Sequence, residues 1–486
     1  MTYTRDAPVG LRFTGHPFID MGVAGLTVFA QKRRPEEVTG AHLEEFVAWA
    51  DKSYHTKETT AWVSVAFTLN GFMNVGFTPE KKRESVHQVL TSFQTPNELT
   101  DVLCAYFGTN AQQLASRDLV PLLTGREPTN FGADGQIGLA LSGLAITTLQ
   151  GLSVAAPLVG GRIMVIDADD TKLLFYLVKQ WQPEIRKRAQ LSLESGEKSG
   201  GWSAPRTRLI EQIINIERAQ QKQSNPDLEY IGSATIYHAS NSGQGPDMTV
   251  YTLEIPALRF VRKAQNVRFA ESWRRLTSAA WQEAGKDKDP EYGKRNDVYE
   301  AVFGLPLEAH GFIRRFFLYP VQNQFKKPKV IETKRSKKKT EETTSVSSSP
   351  PAPLWDLLEL FVMEVLGMDK SRIEAIRTLA DRLAGAVQED NDRKLFQKIY
   401  TTKKAYEVRQ LLIQMGMRHL KKGLEPAVRF NEYLEIFEEG EELARADFGL
   451  AWDLTRIRVI ETLFETKWFD GNQAALEEIE ENEGEK

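Results

Sequence analysis

The chain has 486 residues, 41% hydrophobic and 26% charged, with 62 Lys+Arg against 66 Asp+Glu for a formal net charge of -4. That is ordinary soluble-globular composition, and the length suffices for several domains of about 150 residues, each with its own core. One cysteine, Cys104, excludes a disulfide framework and any multi-thiolate zinc or iron–sulfur site and fits a reducing, cytoplasmic setting, while the average acidity argues against nucleic acid.

The N-terminal MTYTRDAPVGLRF lacks the apolar core and small-residue cleavage site of a secretory signal. HLEEFVAWADKS predicts a helix, and WVSVAFTL and FMNVGFTP predict short strands joined at Asn70-Gly71, a hairpin signal. DGQIGLALSGLAITTLQGL predicts a buried helix. The apolar run Leu139–Met164 is broken by glycines and Pro157, so it makes a poor membrane span. GGRIMVIDAD predicts a strand and TKLLFYLVKQWQPEIRKRAQLSL a helix with a basic end. SATIYHASN and MTVYTLEIP are β-rich runs around the polar loop SGQGPD.

Between Phe325 and Pro353 eight Lys/Arg crowd residues 326–339 and grade into TEETTSVSSSPPAP, the composition of a flexible linker. Residues 1–325 are therefore expected to form a mixed body, 326–352 the linker, and 353–486 an all-helical bundle. PLWDLLELFVMEVLG sets Leu354, Leu357, Leu358, Phe361, Val362 and Val365 on one stripe, and four further amphipathic segments follow. The expected class is α+β: small sheets and helices first, a bundle of four to six helices last. The tail from Glu477 is glutamate-rich and reads as solvated. Charge divides along the same line. Residues 353–486 hold 19 basic and 28 acidic residues, net -9, and residues 1–352 hold 43 and 38, net +5.

Catalytic patterns are weak. The seven histidines are scattered without metal-binding spacing, and LVGGR and SGEKSGGWS match no phosphate-loop pattern. Cys104, in DVLCAYF, reads as a core thiol. Asp167, Asp169 and Asp170 end the GGRIMVIDADD strand, where carboxylates could hold Mg²⁺ or simply cap the next helix.

Three basic runs point instead to a polyanion. Arg186 to Lys222 holds eight cations (Arg186, Lys187, Arg188, Lys198, Arg206, Arg208, Arg218, Lys222) against four Glu. Arg259 to Arg275 holds six, including Arg262, Lys263 and Arg268, against Glu271 alone, with Phe260, Phe269 and Trp273 interleaved. Arg393 to Lys422 holds nine, including Lys394, Lys398, Lys403, Lys404, Arg418, Lys421 and Lys422, against Glu407 alone. A basic face attracts phosphate regardless of sequence, and loops such as SGEKSGG and SNSGQGP are slim enough to enter a minor groove. Lys198, Asn241, Ser242 and Gln244 are the candidate groove readers.

The opening FTGHPFIDMGVAGL (Phe13–Leu26), then VPLLTGREPTNFGADGQIGLALSGLAITTLQGL and TIYHASNSGQGPDMTVYTLEIP, resemble in order and spacing the large subunit of type I-B CRISPR effector complexes (Cascade), in patches over residues 11–260. The resemblance implies a cofactor-free, non-catalytic subunit that sits where the 5′ handle of the guide RNA is held. It implies reading of the protospacer-adjacent motif (PAM) in target double-stranded DNA, help in opening it, and recruitment of a helicase–nuclease, with sequence read by guide pairing. The implied partners are the backbone subunits, the handle-binding subunit and the small subunits, which the C-terminal bundle resembles. Separate synthesis of that bundle would need a non-ATG start near Val346 or Leu354, because Met363 lies inside its first helix. Many relatives carry paired C-x-x-C motifs; CAYFGTNAQQLASRD keeps only Cys104, which implies that the zinc site is absent. Two other readings use the same residues: a scaffold whose basic faces meet acidic proteins, and a metal-dependent nuclease using Asp167 and Asp169.

Overall fold

A computed structural model of the chain describes residues 3–67, 76–123, 138–223, 232–241, 245–282, 293–318, 354–423, 425–426, 428–438 and 444–472. Two compact units emerge. The first comprises Met1–Gln265 and Thr277–Phe303, the second Asn266–Leu276 and Gly304–Lys486. The expected class holds: an N-terminal region of small antiparallel sheets and helices, then a C-terminal run of long helices. Among the described residues no helix is long and apolar enough to cross a membrane. The linker 326–352 and the hairpin turn Asn70-Gly71 lie outside the described residues.

The first unit begins with α1 (Pro17–Phe29), α2 (Gly40–Ser53), α3 (Lys57–Ala66) and α4 (Pro79–Leu90). Two small antiparallel pairs follow, β1 (Leu99–Leu103) with β2 (Asn110–Ala111) and β3 (Gln113–Ala115) with β4 (Leu139–Leu141). Then come α5 (Gly143–Gln150), β5 (Leu158–Val159), β6 (Arg162–Ala168), α6 (Thr171–Ser195), α7 (Pro205–Gln223), β7 (Ala234–Ser240), β8 (Asp247–Leu253) and α8 (Ile255–Lys263). The main sheet is antiparallel in order β5-β6-β7-β8, with Ala168 opposite Ala234 and Ser240 opposite Asp247. Ile163–Ile166 of β6 are all buried, because α1, α3 and α6 pack around that strand.

The opening motif is architectural. Phe18 to Thr27 of α1 is buried without interruption, so the helix has no polar face. Asp20 reaches back to accept hydrogen bonds from Thr14 N (2.7 Å), Thr14 Oγ1 (2.9 Å) and Gly15 N (2.9 Å). A Cβ on Gly22 would overlap the Thr148 carbonyl, and one on Gly25 would lie 2.7 Å from the Gly151 oxygen. Those two glycines let α1 and the α5 region meet backbone to backbone.

Two predicted elements differ. Trp62–Ala66 is helical, not a strand: Thr56 Oγ1 accepts from Thr59 N, and Thr59, Trp62, Val63 and Ala66 are buried at helical spacing. The β-branched content of WVSVAFTL suggested a strand, but burial of one helical stripe and the cap outweigh that propensity. DGQIGLALSGLAITTLQGL divides into β4 and α5, with Ser142 Oγ capping α5 at Ala145 N. Hydrophobicity alone does not separate a short buried strand from a helix.

After α9 (Val267–Ser278), most of which belongs to the second unit, α10 (Asp297–Val302) returns to the first; the second unit then continues through α11 (Ala309–Ile313), α12 (Trp355–Leu366), α13 (Lys370–Glu389), α14 (Arg393–Thr401), α15 (Ala405–Lys421), α16 (Phe430–Phe437) and α17 (Phe448–Glu465). Residues Leu357, Leu358, Phe361, Val362 and Val365 of the predicted α12 stripe are buried. Helices α13 and α17 pack as the central pair. Phe312 stacks on Phe361 with ring centroids 5.0 Å apart. The Asp453 carboxylate, fully buried on α17, accepts from Arg314 Nε (2.7 Å), faces His310 Nε2 (2.8 Å) and pairs with Arg456.

Candidate nucleic-acid interface

The first unit puts its two suspected loops at opposite ends of one helix. At the N-terminal end of α3, the Glu58 carboxylate accepts from Ser199 N (3.0 Å), and Ser192 Oγ accepts from Glu58 N (3.2 Å). At the other end, Asn241 N donates to the Val65 carbonyl (2.7 Å). Ser199 of SGEKSGG and Asn241 of SNSGQGP, more than forty residues apart in sequence, are thus anchored seven residue steps apart on α3, Glu58 to Val65, about 10 Å of helix.

The SGEKSGGWS loop is held firmly. Gly196 takes the left-handed conformation that ends α6 (φ 70°). Gly160 N donates to Trp202 O (2.6 Å), and Arg188 Nη1 donates to Gly200 O (2.6 Å). Trp202, only 6% exposed, has two guanidinium groups over its ring, Arg188 at 4.2 Å and Arg208 at 4.1 Å from the ring centroid. Lys198 stands exposed near the apex, between the anchors at Glu197–Lys57 (3.0 Å) and Ser199–Glu58. A pinned loop with one protruding lysine and flanking glycines loses little conformational entropy on meeting a ligand.

Asn241 stands differently. It is 5% exposed, and its side-chain amide donates to Leu123 O (3.3 Å), so here it braces the base of its loop. Ser242 and Gln244 lie outside the described residues.

The arginines of this unit are mostly engaged inward. Arg188 is buried with Glu184 (3.0 Å); Arg206 pairs with Glu300 (2.7 Å) and lies over Tyr251 (5.0 Å). Arg208 meets Glu211 at 3.8 Å, and Arg262 pairs with Glu217 (2.7 Å). Burial pushes the Glu211 carboxyl up, with Arg208 opposing. Arg186 is exposed but lies over Phe29 (4.7 Å). Lys187, Arg259 and Lys263 are exposed.

In the second unit the basic run presents outward. Arg268 meets Asp356 at 3.3 Å, with both side chains mostly exposed. Asp392 Oδ1 caps α14 at Leu395 N (2.9 Å), and Leu395, Phe396, Ile399 and Tyr400 are buried. Lys394 and Lys398 are thereby turned to solvent. On α15, Val408, Leu411, Leu412 and Met415 face the core. Lys404 lies 3.9 Å from Glu407, Arg418 3.1 Å from Asp392 and Lys422 2.6 Å from Asp390; Lys403 and Lys421 are exposed. Exposed pairs of this kind stabilise little and leave their cations free to exchange partners.

The strand-end aspartates take separate roles. Asp170 Oδ1 accepts from Lys172 N (2.9 Å) and caps α6, while Asp169 Oδ2 accepts from Ser233 N (2.6 Å) and Oγ (2.9 Å). Burial, then Asp20 nearby, raises the Asp167 carboxyl above its ordinary range. Among the described residues no group of three or more His, Cys, Asp or Glu is placed to hold a metal ion. Cys104 is buried, with Ser142 Oγ 3.4 Å from its sulfur.

Sequence reading missed the paired cation–aromatic contacts on Trp202, although Arg188, Trp202 and Arg208 all stood in one basic run; only the fold brings Trp202 beside β5 through its bridge to Val159. Comparison of the chain with protein-family models, curated proteins and solved structures finds no match.

Proposed function

We propose that this chain is a non-catalytic subunit of an RNA-guided CRISPR effector complex that reads the PAM of target double-stranded DNA. It helps to open the duplex and to recruit the helicase–nuclease. The observation that carries the reading is the placement of the SGEKSGG and SNSGQGP loops at the two ends of α3. Loop anchors about 10 Å apart along α3 match roughly three base-pair steps of 3.4 Å. Lys198 would enter the groove from its loop, with Asn241 bracing the base of the second loop. Lys187, Arg259 and Lys263 would meet phosphates, as would Lys394, Lys398, Lys403, Lys404, Lys421 and Lys422; such contacts position the duplex or displaced strand without reading it. The resemblance in the opening and hairpin motifs supports the same reading.

The test is to assemble the chain with guide RNA and the backbone subunits and select from duplexes that carry the guide-matched target beside a randomised flank. The expected result is enrichment of a short flank that Lys198→Ala weakens or flattens. Absence of any flank preference with the unaltered chain overturns the reading. A complex that forms stably without RNA would favour the scaffold alternative.

A further inference from the structure

Helix α15 is apolar on two sides. Its inner side is the core face described above, but Tyr406, Ile413, Met417 and Leu420 are each more than half exposed. Their spacings of seven, four and three residues place them on one stripe opposite the buried one. Lys421, one turn beyond Met417, flanks that stripe, and Lys394 and Lys398 project from the neighbouring α14; among the described residues none of the three has an acidic partner. At the other flank Arg409 meets Tyr433 and Glu438 of the α16 region, where Phe430 is also strongly exposed. A contiguous apolar stripe edged by exposed lysines asks for an apolar and acidic occupant.

The chain supplies one. The last described residue, Asn472, is fixed at the start of α14: its Oδ1 accepts from Arg393 Nε (2.6 Å), and its Nδ2 donates to Asn391 Oδ1 (2.9 Å). Asp390 and Asp392, on either side of Asn391, hold Lys422 and Arg418 at the end of α15. The segment after Asn472 thus departs next to the last turn of α15. Fourteen residues follow, QAALEEIEENEGEK, a reach of roughly 45 Å extended or about 20 Å as a helix, against some 22 Å from Lys421 back to Tyr406. In that segment Leu476 and Ile479 are three residues apart, and Glu477, Glu478, Glu480 and Glu481 alternate around them.

We propose that residues 473–486 fold back along α15 in the same chain, with Leu476 and Ile479 over Met417 and Leu420 and the glutamates toward Lys421, Lys394 and Lys398. The docked segment shields the apolar stripe and screens the lysines. Its regulatory consequence rests on the nucleic-acid reading above: a phosphate backbone would have to displace the glutamates, so binding is restricted to strands delivered at high local concentration.

Pairing Leu420→Cys with Ile479→Cys in the full chain tests the docking, because Leu420 is more than half exposed and Cys104 is buried. Under mild oxidation the disulfide is expected within single chains, at a rate independent of protein concentration. It should form at least about tenfold faster than with the exposed control Val267→Cys, as a raised effective concentration requires. Equal rates for the two pairs, or linkage only between chains, overturns the proposal; the latter makes a second copy the occupant. A separate measurement addresses the nucleic-acid reading. Deleting residues 473–486 is expected to tighten binding of a short single-stranded DNA by about three- to tenfold at low salt, with the gain fading as salt rises. Cross-linking without that gain keeps the docked segment and removes the nucleic-acid role of this face. The gain without preferential cross-linking means that the segment acts by charge alone, and the docked geometry fails.

Discussion

Two stretches with eight and nine cations, 186–222 and 393–422, meet different fates in the fold. In the first, Arg188, Arg206 and Arg208 turn inward, onto Trp202 and Tyr251 and against Glu184, Glu300 and Glu211. In the second, Lys394, Lys398 and Lys421 stay in solvent, and Lys404, Arg418 and Lys422 make exposed pairs. The difference follows residue chemistry. A guanidinium is planar, weakly hydrated and able to stack while it hydrogen-bonds, so it survives burial; an ammonium is a compact, strongly hydrated charge that favours water. A count of cations treats the stretches nearly alike, yet three arginines of the first are architecture while Arg186, Lys187 and Lys198 stay exposed, and the second is mostly an open electrostatic surface.

The sharpest challenge to that division lies in the second unit, where some arginines are buried. Asp453→Ala leaves Arg456 desolvated without its carboxylate and is expected to destabilise that unit by about 3–5 kcal/mol, measured by chemical denaturation. Burial works against the charged Asp453, but Arg456, Arg314 and His310 hold its carboxyl below the ordinary carboxylate range. A depressed folded-state value means the unfolded state binds more protons. The stabilisation is complete above the unfolded carboxylate range near pH 4, and is lost as pH falls through the folded value. The Asp453→Ala variant should therefore show a flatter acid-side stability profile than the unaltered protein.

Next in size is Arg188→Gln in the first unit. It removes a buried charged donor from Glu184 and Gly200 and one of the two cation–aromatic contacts on Trp202, for an expected loss of about 2–3 kcal/mol. Trp202 fluorescence and loop proteolysis would register the release. A loss no larger than that of an exposed arginine would dissolve the contrast between the two stretches.

The smallest effect on stability is expected from Lys394→Gln, Lys398→Gln and Lys421→Gln combined, within about 0.5 kcal/mol for exposed sites. On nucleic-acid binding the same triple variant should flatten the salt dependence, by about one unit of log–log slope for each phosphate no longer neutralised. An unchanged slope would show that exposure alone does not make these lysines a phosphate surface.

Much of this was legible in the sequence where local pattern and burial agree. The α12 stripe, the basic helix α6, strand β6 and the β7–β8 pair all follow periodicity that each segment carries by itself. WVSVAFTL failed because its β-branched residues also satisfy a helical stripe, and the deciding Thr56 cap and packing against Ala156, through the Trp62 indole donor at 2.7 Å, come from outside the segment. Asn241 looked like a groove reader as a polar residue in a glycine loop, yet its neighbours Val65 and Leu123 are distant in sequence and draw it inward.

Sequence by itself determined the class, the acidic–basic segregation behind a net charge of -4, and the single buried thiol. Tertiary structure decided which cations are architecture and which are surface, and it set two distant loops on the ends of one helix. The physical reason is that composition sums charge over residues, whereas desolvation and pairing act on each side chain through neighbours that only the folded chain supplies.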